Sequence, residues 1–138
     1  MNKIRKEYVA GFLFSPDEKE VLLIQKNRPD WQRGKLNGIG GHVEPVESRV
    51  EAMKREFLNS WQECVSLHGD GWLVHFYYSF GDLSAAKTMT DEKVQAYSVS
   101  KLPDNIIPNL KYLIPIRLDK TLLIPISLWE KEIKREPV

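Results

Sequence analysis

Gly40-Gly41-His42-Val43-Glu44-Pro45-Val46-Glu47 runs into a segment that ends Arg55-Glu56-Phe57-Leu58-Asn59, and this stretch holds the residues best suited to chemistry on a phosphorylated substrate. Hard cations such as Mg²⁺ take oxygen ligands, and carboxylates three or four positions apart on a helix present themselves on one face. A divalent cation held in this way neutralises phosphoryl oxygens and lowers the pKa of an attacking water. Glu47 and Glu56 supply carboxylates and Arg55 a guanidinium. The glycines before them suit a backbone that must come close to something. At i+3 and i+4 from Glu56, however, stand Asn59 and Ser60, which offer oxygen without charge.

The spacing of these residues resembles the box of the Nudix family, G-x5-E-x7-R-E-U-x-E-E-x-G-U, where U is bulky and apolar. Gly41, Glu47, Arg55-Glu56 and Phe57 match it in turn. The match then stops: Asn59 and Ser60 replace the paired glutamates, and Gln62 and Glu63 replace the closing glycine and apolar residue. Two readings are open. Either Asn59 and Ser60 are substitutions in a helix of normal length, or several residues are missing between them. Ser60 to Leu67 already reads as the strand that follows a helix end and loop, and one deletion accounts for all four losses, so we favour the second.

The resemblance extends over most of the chain and implies a fold, a reaction and a set of site residues. The fold is α/β, a mixed β-sheet sandwiched between α-helices. The reaction is Mg²⁺- or Mn²⁺-dependent hydrolysis of a nucleoside diphosphate-linked substrate, a nucleoside triphosphate giving the monophosphate and pyrophosphate, here impaired by the incomplete box. A nucleotide-binding or regulatory module without catalysis is the alternative. Glu56, Arg55 and Glu47 are the implied catalytic residues. Glu56, Glu92 of the downstream pair Asp91-Glu92, and the backbone carbonyl of Gly41 are the implied metal ligands. Gly34 to Gly41 resembles the segment before the box in the branch acting on oxidised purine nucleoside triphosphates, where an asparagine at the place of Asn37 contacts the base. A second base-contacting stretch of that branch, tryptophan-proline-aspartate-aspartate, is replaced by Ile107-Pro108-Asn109-Leu110, leaving Asn109 as a polar contact.

Other readings compete at several of these positions. An acidic residue such as Glu47 is favoured near a helix N-terminus by the macrodipole alone. Arg55 orients Glu56 or pairs with Glu47 or Glu51. Trp31 either stacks a base or packs as a loop tryptophan on the core. His42, His68 and His75 lack metal-ligand spacing, and His75, inside an apolar strand, belongs to the core or a pocket wall. Asp70 between two glycines suits a turn, and Cys64 suits a small buried position.

The elements that must position these residues follow from strand-forming runs, turn signals and helical spacing. Tyr8 to Phe14 and Val21 to Gln25 read as a hairpin around Ser15-Pro16-Asp17. From Ser48, the residues Val50, Met53, Phe57 and Leu58 fall at helical spacing, with Ser48 as N-cap and Glu51 at N3 completing a capping box. Trp61 to Leu67 and Trp72 to Phe80 form a second hairpin through His68-Gly69-Asp70-Gly71. Lys93 to Val99 is a strand, Ile107 to Arg117 is mixed, and Ser127 to Arg135 is expected to be a terminal helix with Leu128 and Ile133 inward.

Length and composition bound the whole. The chain has 138 residues, 42% hydrophobic and 28% charged, which suits a single domain over 1–138. A formal charge of +1 gives no argument for nucleic acid or membrane surfaces as partners. The apolar runs Val21 to Ile24 and Leu122 to Ile126 fall far short of the ~20 residues that span a bilayer. With one cysteine and no signal-peptide pattern, the expectation is a cytoplasmic protein, monomer or homodimer, with a small nucleotide as its partner.

Overall fold

A computed structural model of the chain describes residues 6–27, 30–85 and 92–131. These form strands β1 (Lys6–Phe14), β2 (Glu20–Gln25), β3 (Leu36–Asn37), β4 (Ile39–His42), β5 (Gln62–Gly69), β6 (Trp72–Phe80), β7 (Val94–Ser98) and β8 (Ile126–Trp129), with helices α1 (Arg49–Glu56) and α2 (Leu110–Leu118).

All eight strands join one mixed sheet, in the order β3-β2-β1-β6-β5-β8, with β7 on β2 and β4 on β1. Strand β1 organises it. One edge pairs in parallel with β6 along all nine residues, Lys6↔Trp72 to Phe14↔Phe80. The other edge is shared: Leu13 and Phe14 pair with β2, while Tyr8 to Gly11 pair with the glycine-rich β4. This divided edge brings the glycines beside the sheet centre.

Side chains of β1 alternate between two cores, as strand geometry requires. Ala10, Phe12 and Phe14 face a cluster that includes Leu110, Leu113 and Ile114 of α2. Val9 and Leu13 face a second cluster with Ala52 and Met53 of α1 and with Trp61. The sheet is therefore covered by a helix on each side, the α/β sandwich that the sequence implied.

The two hairpins, β7 and the capping box lie where expected. Ser48 Oγ accepts from the Glu51 amide at 3.2 Å, and Glu51 Oε1 accepts from the Ser48 amide at 3.3 Å. Two expectations need correction, and a third is sharpened. Helix α1 ends at Glu56 with Phe57 already extended (φ −156°, ψ 118°), so Leu58 is 83% exposed instead of lying on an apolar helix face. The mixed segment contains α2, started by Leu110 after Ile106 and Ile107 run beside Leu36, whose carbonyl accepts the Ile107 amide at 2.9 Å. The expected terminal helix is a strand where it is described: Ile126 to Trp129 pair in parallel with Val65 to His68. Its burial alternates with period two, Ile126 and Leu128 packing on the α2-side core, a pattern that so short a segment shares with a helical reading. Ile133 lies outside the described residues.

Candidate functional site

The site is built where α1 ends against β4. The capping box starts the helix, and eight residues carry it to Arg55 and Glu56. Arg55 then gathers its surroundings. Its Nη2 donates to Glu47 Oε1 at 2.8 Å and to the His42 carbonyl at 3.0 Å, its Nε to Glu47 Oε2 at 3.2 Å, and its Nη1 to Glu56 Oε1 at 3.1 Å. A two-point bond of this kind uses the planar fork of the guanidinium. The Arg55 guanidinium, followed by a bond from the Glu44 backbone, holds the Glu47 carboxyl below the usual carboxylate range, and Glu47 raises Arg55 above its own. Both expected partnerships of Arg55 thus occur together, with Glu47 and with Glu56, whereas Glu51 closes the capping box.

The Glu56 carboxylate lies over Gly41. A Cβ on Gly41 would stand 2.5 Å from Glu56 Oε1 and 3.1 Å from its Cδ, so a side chain there would have to push the Glu56 carboxylate, the end of a flexible chain, out of this position. Gly41, Glu47, Arg55 and Glu56, separated along the chain, form one cluster.

The end of α1 is closed by Trp61. Its indole Nε1 donates to the Phe57 carbonyl at 2.8 Å, satisfying one of the carbonyls that a helix terminus leaves open, and its ring meets Phe57 edge-on at 6.3 Å. Gly11 of β1 makes room for it: a Cβ there would lie 2.8 Å from Trp61 Cζ3 and 2.7 Å from Met53 Cε. Asn59 and Ser60 are outside the helix, so they do not occupy the i+3 and i+4 places beside Glu56. They help to line a shallow cavity of about 350 Å³ with Gln62, Tyr78, Ser79 and Phe80, a wall of neutral groups.

The other candidates read from the sequence lie on other elements. Glu92 precedes β7; its Oε2 accepts from the Asn27 amide at 2.8 Å and its Oε1 lies 3.6 Å from Lys26 Nζ. Asn37 on β3 accepts from the Gly38 amide through Oδ1 at 2.8 Å and donates to Gln32 Oε1 at 3.4 Å. Gln32 had no sequence signal beyond its place in a polar loop. The segment leading to Asn109 runs beside Leu36, the neighbour of Asn37: the Leu36 amide donates to the Asn105 carbonyl at 2.9 Å. Asn109 Oδ1 is buried without a hydrogen-bond partner, and the side chain does not cap α2. Trp31, in a 3-10 turn at Asp30–Gln32, is 65% exposed, which excludes the reading in which it packs on the core.

Glu56 is engaged by Arg55, Glu92 is held near Lys26 and the Asn27 amide, and no group of three His, Cys, Asp or Glu side chains is gathered among the described residues. Mg²⁺ is held through carboxylates in near-octahedral geometry. The described residues do not supply a set that fits it.

With a divided β1 edge, helices on both sheet faces and a helix delivered onto a glycine-rich strand, the chain has the fold of the Nudix hydrolases. It superposes on a NUDIX hydrolase from Nitrosomonas europaea with a TM-score of 0.70 at 17% identity, covering 94% of this chain and 82% of that one. A MutT structure from work on the Aliivibrio salmonicida and Vibrio cholerae proteins gives 0.65 at 24% identity, covering 80% and 98%. The NUDIX domain of Shewanella oneidensis NrtR, complexed with ADP ribose, gives 0.64 at 17% identity, covering 86% and 91%. No protein-family model matches the sequence, and no curated protein matches it.

Proposed function

We propose that the chain is a Nudix-family protein acting on a nucleoside diphosphate-linked small molecule, with hydrolysis weakened by the incomplete box. The observation that carries this reading is the delivery of Glu56 onto Gly41 by a helix that stops there. The first half of the box is assembled, with Arg55 bridging Glu47 and Glu56. The part in which the family places its further glutamates has no helical counterpart.

The reaction implied is conversion of a nucleoside triphosphate to the monophosphate and pyrophosphate. Its dependence on Mg²⁺ or Mn²⁺ is part of the resemblance, and the short donor set is the reason for slow turnover. Asn37 and Asn109 are proposed to contact the base through their side-chain amides. Trp31 is proposed as an exposed stacking surface. The ADP ribose held by the NrtR domain supports a nucleotide-type ligand. Glu92 is proposed as a second, weak metal ligand, and the Gly41 carbonyl as a third. The cytoplasm is the proposed location.

A second reading, nucleotide binding without catalysis, is favoured by the neutral groups at Asn59 and Ser60. The test is release of phosphate and pyrophosphate from ordinary and oxidised nucleoside triphosphates with Mg²⁺ or Mn²⁺, beside a Glu56→Gln control. Turnover abolished in the control supports a working reduced site. Saturable binding with no turnover above the control supports the second reading, and absence of both refutes nucleotide action altogether.

A further inference from the structure

At the opposite end of α1 from Glu56, the helix is fastened to the sheet through a buried histidine that the proposed chemistry does not use. Arg49, the first residue of α1, places Nη1 3.1 Å from His75 Nδ1 on β6 and Nη2 3.2 Å from Glu63 Oε1 on β5. Ser66 Oγ of β5 lies 3.3 Å from the same His75 Nδ1. Glu7 of β1 puts Oε2 3.5 Å from His75 Nε2, beyond good hydrogen-bond distance, and that buried nitrogen has no hydrogen-bond partner. The His75 side chain is 6% exposed.

A guanidinium has donors and no acceptor, so a bond from Arg49 to Nδ1 requires a neutral imidazole with its proton on Nε2. A proton on Nδ1 would set two donors and two cations 3.1 Å apart. The neighbours provide another arrangement: Ser66 Oγ accepts from Nδ1–H, Glu7 takes Nε2–H as an ion pair, and Arg49 is left with Glu63 alone. Burial, followed by the charge of Arg49, lowers the pKa of His75, while Glu7 and Glu63 oppose the shift. Protonation therefore exchanges partners within an existing cluster and removes the hydrogen bond between α1 and β6.

We infer that His75 is a positioning residue for α1, tying its first turn to β6 through Arg49 when neutral and loosening that turn, with the Arg49–Glu63 pair left to hold it, when protonated. Helix docking does not require nucleotide turnover, so this inference can fail or stand apart from the proposed function.

The experiment is amide hydrogen exchange of Ala52 and Met53 in the full chain between pH 7.5 and 5, corrected for intrinsic exchange, alongside an NMR titration of the His75 ring. Loss of a charge-assisted bond predicts roughly a tenfold fall in α1 protection, tracking the His75 titration. In His75→Gln, whose amide oxygen accepts from Arg49 and does not titrate, protection stays flat. In Arg49→Gln, which keeps a donor and removes the cation, the His75 midpoint moves up. A wild-type helix whose protection ignores pH, the same fall in His75→Gln, or an unmoved midpoint in Arg49→Gln would each overturn the inference, and the last stands even where His75→Gln fails to fold.

Discussion

Trp61→Ala tests whether one indole closes the end of α1 after Glu56. The ring is 7% exposed, covers the hole above Gly11, and gives the Phe57 carbonyl its donor. Truncating a buried tryptophan costs about 3–5 kcal/mol through lost transfer energy and the cavity left behind. Against a total stability of roughly 5–15 kcal/mol this is a large share. With a urea slope of about 2 kcal/mol per molar, the midpoint should fall by roughly 2 M. Trp61→Phe keeps most of the ring but leaves a half-buried carbonyl without its donor, at about 1–2 kcal/mol. Gly11→Ala gives the control. Its Cβ would strike Trp61 Cζ3 at 2.8 Å and Cη2 at 2.9 Å, whereas Met53 Cε, also close, is the end of a flexible chain. The alanine should cost about 1–3 kcal/mol in the wild type and less once Trp61 is removed, a coupling of at least ~1 kcal/mol. Far-UV circular dichroism is the suitable probe, because fluorescence changes with the indole itself. A loss below about 1 kcal/mol in Trp61→Ala, or strictly additive costs with Gly11→Ala, would refute the closure.

Four further outcomes are expected. Gly41→Ala drives a methyl into Glu56 Oε1 and should lower any Glu56-dependent turnover by roughly tenfold or more with the fold intact; unchanged kinetics and unchanged dichroism together would contradict the contact. Arg55→Ala should return the Glu47 carboxyl upward toward its ordinary titration range, read by NMR, since Arg55 is the first cause of its lowered pKa. Because His75 titrates lower when folded than its ordinary value near 6.5, the unfolded chain binds the extra proton first, and stability is lost as pH falls from about 6.5 through the folded value. Urea midpoints at pH 7.5 and 5.5 should show that slope in the wild type and a smaller one in His75→Gln. Inserting a helix end with two glutamates and the closing glycine after Asn59 should raise activity at least about tenfold, since charged ligands would be restored beside Glu56; a well-folded insert without gain would count against the break as the limit on catalysis.

The residues that local rules govern were legible in the chain. Ser48 and Glu51 cap a helix through bonds spanning three residues, Gly69 to Gly71 turn one hairpin, and runs of strand-forming residues bounded by turn signals mark β1, β2, β5 and β6. Gly41, Glu47 and Arg55-Glu56 were found through the resemblance to the Nudix box, a short pattern that runs from β4 through the turn before α1 to the last two residues of that helix. The errors arose where local signals are weak. Ile126 to Trp129 is four residues long, too short for its period to separate strand from helix, and pairing with β5 decides it. Leu110 to Leu118 contains Pro115, which argues against a helix locally, yet Leu110, Leu113 and Ile114 bury a face against the sheet.

By itself the sequence determined the α/β pattern, the start of α1 and the residues placed at its end, because caps, turns and periodicities depend on near neighbours. Only the tertiary structure decided that Glu56 sits on Gly41, that Trp61 closes the end of α1 over Gly11, and that Arg49 meets His75. Each of these contacts joins segments held together by the divided edge of β1 and its neighbours, and strand pairing across long stretches of chain leaves no fixed spacing to read.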